Sequence, residues 1–100
     1  MESEIDAVVG HPFDVILADL PGSGYVWSCR TVPDGVRLIS VQYVAEVPPQ
    51  VGSARDKQFR FVAERPGQFT VILELKRGWE AEPIETRAIR IRAHHPDAPG

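Results

Sequence analysis

One hundred residues, 43% hydrophobic and 25% charged, describe a single globular domain, too short for two independent cores and too apolar for wholesale disorder. The net charge of −3 includes nine arginines and two lysines scattered along the chain, which excludes the basic stripe of a dedicated nucleic-acid binder. A single cysteine excludes an internal disulfide and a thiolate zinc site, and no apolar run approaches the ~20 residues that span a bilayer.

The opening Met1-Glu2-Ser3-Glu4 is acidic and lacks the basic start and apolar stretch of a signal peptide. A cytoplasmic location is therefore the default expectation, with export as the alternative if a leader has been removed. From there the chain alternates apolar and polar residues, the period of strands with one buried face. Strands are expected near 5–9, 13–20 and 25–32, the last with Tyr25, Trp27 and Cys29 on one face. Pro33-Asp34-Gly35 then makes a tight turn, with proline presetting φ and glycine accepting a positive one. In 36–47, Ile39, Val41, Tyr43, Ala45 and Val47 share a face against Arg37, Ser40, Gln42 and Glu46. A loop at 48–56 leads into 57–64, where Phe59, Phe61 and Ala63 alternate with Gln58 and Arg60. Arg65-Pro66-Gly67 is the second tight turn. It opens 68–76, where Phe69, Val71, Leu73 and Leu75 oppose Thr70, Glu74 and Lys76. After the loop 77–83, Ile89, Ile91 and Ala93 alternate with Arg90 and Arg92 in a last strand, 84–93. Residues 94–100 read as a flexible tail to a single domain over 1–93.

Seven strands at this spacing predict an all-β, immunoglobulin-like, two-sheet antiparallel sandwich, with a small closed barrel as the second choice. If successive strands run antiparallel, the two tight turns lie at one end and the loops 21–24, 48–56 and 77–83 at the other. The second set carries glycine, proline, an aromatic residue and charges beyond what chain reversal needs. Loops on a rigid scaffold are where such domains bind partners.

Candidate chemistry is sparse. Cys29 with His11 as its base would make a nucleophile, but Cys29 sits in a strand beside Trp27, where a small buried thiol is the commoner role. Ser23 in Gly22-Ser23-Gly24 lacks the spacing of a nucleophile elbow. His94 and His95 are adjacent and point to opposite faces in extended chain, which defeats chelation. Glu80, Glu82 and Glu85 read as solvated loop charges, and Arg87, Arg90 and Arg92 as the outer face of a terminal strand. No cofactor or metal site emerges, and the balance is against an enzyme. Trp79 stands between Gly78 and Glu80 in a polar loop, outside the strand alternation. It either folds back over the end of the sandwich or is an exposed aromatic anchor of the kind that dominates interfaces.

At these three loops the sequence resembles the chagasin-like inhibitors of papain-family cysteine peptidases. The family's Asn-Pro-Thr-Thr-Gly-Tyr/Phe element followed by tryptophan corresponds to Leu20-Pro21-Gly22-Ser23-Gly24-Tyr25-Val26-Trp27. Its middle Gly-x-Gly-Gly loop corresponds to Gly52-Ser53-Ala54-Arg55 before Phe59, and its Arg-Pro-Trp to Arg77-Gly78-Trp79. Order and spacing match over roughly 13 to 93. The chain departs where Leu20 replaces asparagine, Gly22 and Ser23 replace the threonines, Ala54 and Arg55 replace glycines, and Gly78 replaces proline. A positive φ at Ala54 or Arg55 would be strained.

The resemblance implies a reversible, competitive inhibitor, a monomer by default, with a papain-family cysteine peptidase as partner and neither cofactor nor metal. Its peptidase-binding residues would be Pro21, Gly22, Ser23, Gly24 and Tyr25 over the catalytic cysteine, Gly52, Ser53 and Ala54 along one side, and Arg77, Gly78 and Trp79 along the other. The alternative is an immunoglobulin-like interaction module using the same loops for a non-peptidase partner.

Overall fold

The computed structural model describes residues 2–19, 23–44 and 55–96. Seven strands follow in chain order: β1 (Glu2–Val8), β2 (Phe13–Asp19), β3 (Val26–Thr31), β4 (Val36–Tyr43), β5 (Arg55–Ala63), β6 (Gly67–Lys76) and β7 (Glu85–His94). They form a four-stranded sheet, β1-β7-β6-β3, and a three-stranded sheet, β2-β5-β4. The all-β sandwich expected from the alternation is what the chain forms. Strand direction alternates along the chain, so β1 and β7 run the same way and pair in parallel, while the other pairings are antiparallel. β7 continues through His94, whose carbonyl accepts the Val9 amide at 2.9 Å.

The core lies between the sheets. Phe59 and Phe61 of β5 meet Val71 and Leu73 of β6 and Ile89 and Ile91 of β7, all essentially removed from water. Burial of a side chain of this size contributes about 1.5–3 kcal/mol, which makes these central strands the main source of stability. Trp27 is buried among them, as its place on β3 predicts. Cys29 is only half-buried, because β3 is the edge of the larger sheet.

β4 departs from simple alternation. Leu38 pairs with Phe61 and Ser40 with Arg60, leaving Ile39 as the extra residue of a bulge. The bulge resets the phase: Val36 and Leu38 pack on the core before it, while Val41 stands opposite Phe59 after it. Ile39 falls out of register with Val41 and Tyr43, and the buried face expected of this strand fails for all three, which are 42%, 43% and 43% exposed. Ala45 and Val47 lie outside the described residues.

One end of the sandwich carries the tight turns. The Val36 amide donates to the Pro33 carbonyl at 3.1 Å and the Glu64 amide to the Gly35 carbonyl at 2.8 Å. Gly35 adopts φ of 100°, and a Cβ there would sit 2.5 Å from the Phe69 ring. Both the backbone and the packing demand glycine at this position.

Candidate functional site

At the opposite end, the segment entering β3 and the turn after β6 meet. The Ser23 hydroxyl oxygen accepts the Tyr25 amide at 3.1 Å, a local turn of the kind serine favours. Gly24 adopts φ of 84°, which an L side chain resists. A Cβ on Gly24 would stand 3.1 Å from the Trp79 ring, so the absent side chain is also what lets the indole approach. Trp79 occupies a turn closed by the Glu80 amide donating to the Arg77 carbonyl at 3.1 Å. It is 76% exposed, which decides between the two readings of this residue: it projects from the end of the sandwich.

Arg77 joins the two segments. Its Nε donates to the Ser23 carbonyl at 3.0 Å, and its guanidinium lies 4.3 Å from the Tyr25 ring centroid and 5.7 Å from that of Trp79. Glu80 receives the remaining reach of the guanidinium at 3.5 Å. A guanidinium on an aromatic face contributes roughly 0.5–1 kcal/mol where exposed, so two rings and a carbonyl hold this side chain in one place. Tyr25 is half-buried against the core and serves as the platform under Arg77, behind the tip of the loop.

Below these tips lies a buried polar cluster. The Asp19 carboxylate accepts the Trp27 backbone amide at 2.9 Å on Oδ1 and the Tyr43 hydroxyl at 2.6 Å on Oδ2. Lys57 Nζ donates to the Trp27 carbonyl at 2.8 Å and stands 4.0 Å from Asp19 Oδ2. The Trp27 indole N–H donates to the Ala18 carbonyl at 3.0 Å. The cluster ties β2, β3, β4 and β5 together where they reach this end.

Ser23, Gly24, Tyr25, Arg77, Gly78 and Trp79 therefore come together, as the sequence pattern expects. Pro21, Gly22, Gly52, Ser53 and Ala54 lie outside the described residues, as does Leu20. The strand ends that flank the middle loop, Tyr43 and Arg55, do reach this same end, since Asp19 stands opposite Arg55 and Tyr43 opposite Lys57. Arg55 belongs to β5, and no described non-glycine residue has a positive φ, so the strain expected at Arg55 does not arise. Gly78 has open space where a side chain would project.

Other candidates resolve simply. Burial raises the Cys29 thiol above its ordinary pKa, the opposite of what a nucleophile needs. Glu80 pairs with Arg77 and Glu85 with Arg87, and no group of described residues assembles a metal site. Arg90 and Arg92 lie on the outer face, but Arg87 stands opposite Leu73, and its guanidinium sits 5.2 Å from the Trp27 ring. β7 is an interior strand of its sheet, and the inward phase of Ile89 and Ile91 carries Arg87 with it. Asp19, Tyr43 and Lys57 are the residues that the reading of loops passes over. Their signal is the alternation itself, which puts Asp19 in phase with Val15 and Leu17, and Lys57 in phase with Phe59. A charge on an apolar phase needs a partner.

The model of the chagasin family of peptidase inhibitors, I42, matches residues 6–92. The chain belongs to that family. The inhibitor thus has the ancestry that the three loops indicate, and its family is one of inhibitors and not of enzymes. No curated protein matches it in a sequence search. Among solved structures, the cysteine protease inhibitor EhICP2 of Entamoeba histolytica superposes with a TM-score of 0.74 at 18% identity, covering 91% of this chain and 85% of that one. Amebosin superposes with a TM-score of 0.73 at 22% identity, covering 91% and 88%. PbICP-C, solved in complex with falcipain-2, gives 0.60 at 12% identity over 94% and 90%. At these identities the inhibitor shares the fold with each of them.

Proposed function

We propose that this inhibitor is a reversible, competitive blocker of papain-family cysteine peptidases, filling the active-site cleft with the loop end of the sandwich. The observation that carries the reading is Trp79, held by Arg77 against Gly24 yet 76% exposed. A large apolar ring left in water has little to contribute to the free fold and much to contribute to an interface. The first loop, from Pro21 to Tyr25, sits over the catalytic cysteine of the peptidase, presenting backbone and small side chains. Gly52, Ser53 and Ala54 run along one wall of the cleft, and Arg77, Gly78 and Trp79 along the other. A contact of standard size buries ~1,600 Å², enough to exclude substrate and water. The inhibitor acts by occlusion, and Cys29, half-buried on β3 with its thiol pushed up by burial, is not poised to attack the enzyme. Family membership supports this reading over a plain interaction module with a non-peptidase partner.

Titrating papain and a cathepsin-L-like enzyme tests it. Competitive inhibition that reverses on dilution is expected, with blocking of Cys29 leaving potency unchanged. A mixed disulfide or acyl-enzyme found by mass spectrometry as the inhibited species would refute the mechanism, and no effect at micromolar concentration would refute the target class.

A further inference from the structure

We propose that Asp19 is a positioning residue for inhibition, a buried carboxylate that sets the take-off of the first loop and ties it to the roots of the middle loop. This rests on the reading of the loop end as the inhibitory surface. Asp19 is the last residue of β2 and only 4% exposed. Its bond to the Trp27 amide closes the neck of the segment between them, so the first loop leaves and re-enters the sandwich at a fixed separation. Its bond from the hydroxyl of Tyr43, the last residue of β4, and its proximity to Lys57 near the start of β5 place the same carboxylate under both strands that flank residues 45–54.

Apolar residues replacing both Asp19 and Lys57 would hold the sandwich about as well, because a buried ion pair seldom outperforms well-packed hydrocarbon of similar volume. What the carboxylate adds is direction: two donors and an ammonium group, from three strands, converge on its two oxygens. Loops held in their bound geometry lose less conformational freedom on docking, and that difference reads out as affinity. Leu20 and Gly22 stand where the family motif has asparagine and threonine, and Asp19 lies at the base of that segment.

The test compares Asp19→Ala, Asp19→Asn and the double variant Asp19→Leu/Lys57→Met with the wild type. It measures the inhibition constant for papain well below the melting temperature, and the amide exchange rate of Trp27. Asp19→Ala is expected to weaken inhibition about tenfold or more and to speed exchange at Trp27. Asp19→Asn keeps an oxygen acceptor and should restore most of the potency. The double variant removes both charges together, so it should recover the melting temperature while inhibition stays weak. A double variant that inhibits like the wild type, or potency that recovers in step with melting temperature, overturns the proposal. If the wild type itself fails to inhibit, the functional reading falls, and Asp19 is judged on exchange alone. Unchanged exchange at Trp27 in Asp19→Ala then refutes the positioning role as well.

Discussion

At the end carrying Pro33–Gly35 and Arg65–Gly67, the chain reverses through backbone hydrogen bonds and a glycine lodged on the Phe69 ring. At the other end, backbone bonds such as Glu80 to Arg77 and Val44 to Asp56 are joined by buried or half-buried side chains that reach between connections: Arg77 spans from the third loop to the Ser23 carbonyl, and Asp19 gathers Trp27, Tyr43 and Lys57. The difference has a physical consequence. A turn fixed by its own backbone cannot change without disturbing the strands it joins. A loop fixed by a side chain at its base can present a variable tip and still stand in one place. The first end therefore belongs to the fold, and the second is free to carry Trp79 in water.

Substitutions at the two ends should separate accordingly. Trp79→Ala should weaken inhibition of a papain-like peptidase by about 30- to 1,000-fold, the usual result of truncating an interface anchor worth ~2–4 kcal/mol. Its melting temperature should stay close to the wild-type value, because the ring is mostly exposed in the free protein. A sharp fall in melting temperature with intact inhibition would make Trp79 a structural residue. Gly35→Ala should do the reverse. The new methyl meets the Phe69 ring and the backbone has φ of 100°, so a loss of about 1–3 kcal/mol is expected, or a drop on the order of ten degrees in thermal melting. Inhibition, measured where the variant is folded, should not change.

The next effect is smaller and of opposite sign. Gly78 is the second residue of the Arg77–Glu80 turn, where proline is favoured, and nothing lies within 4 Å of its missing side chain. Gly78→Pro should tighten inhibition two- to five-fold by removing ~0.4–1 kcal/mol of conformational freedom, measured as a lower inhibition constant. Weaker inhibition would show that the turn must flex on binding. Asp34→Ala, in the opposite turn, removes only an exposed pair with Arg65 and should leave potency within experimental scatter.

The strands were readable because alternation is a direct imprint of a half-buried sheet, and the turns because proline and glycine have few other uses in such places. Ile39 departs from the alternation for a reason local pattern cannot contain: a bulge depends on the partner strand, and only the pairing with β5 reveals the extra residue. The pattern of β3 puts Cys29 on the buried face beside Trp27 but does not say that β3 is an edge strand, where the thiol is half-buried. At the site, Trp79 is legible as an aromatic residue in a polar loop, and Gly24 as part of the stretch that resembles the family motif. The Arg77 bond to Ser23 joins residues far apart in the chain, and the Asp19 cluster draws on four strands, so neither could be read from local order. The phase of Asp19 and Lys57 marked them as charges facing inward; the partners of those charges are a property of the folded sandwich.

That one end binds while the other supports is tested most directly by hydrogen–deuterium exchange of the protein bound to papain. Protection should appear at residues 23–27 and 75–80 and at the ends of β4 and β5 that flank residues 45–54, while residues 33–36 and 64–67 exchange as in the free protein. Protection centred on 33–36 and 64–67, with the loop end unchanged, would contradict the assignment of the two ends.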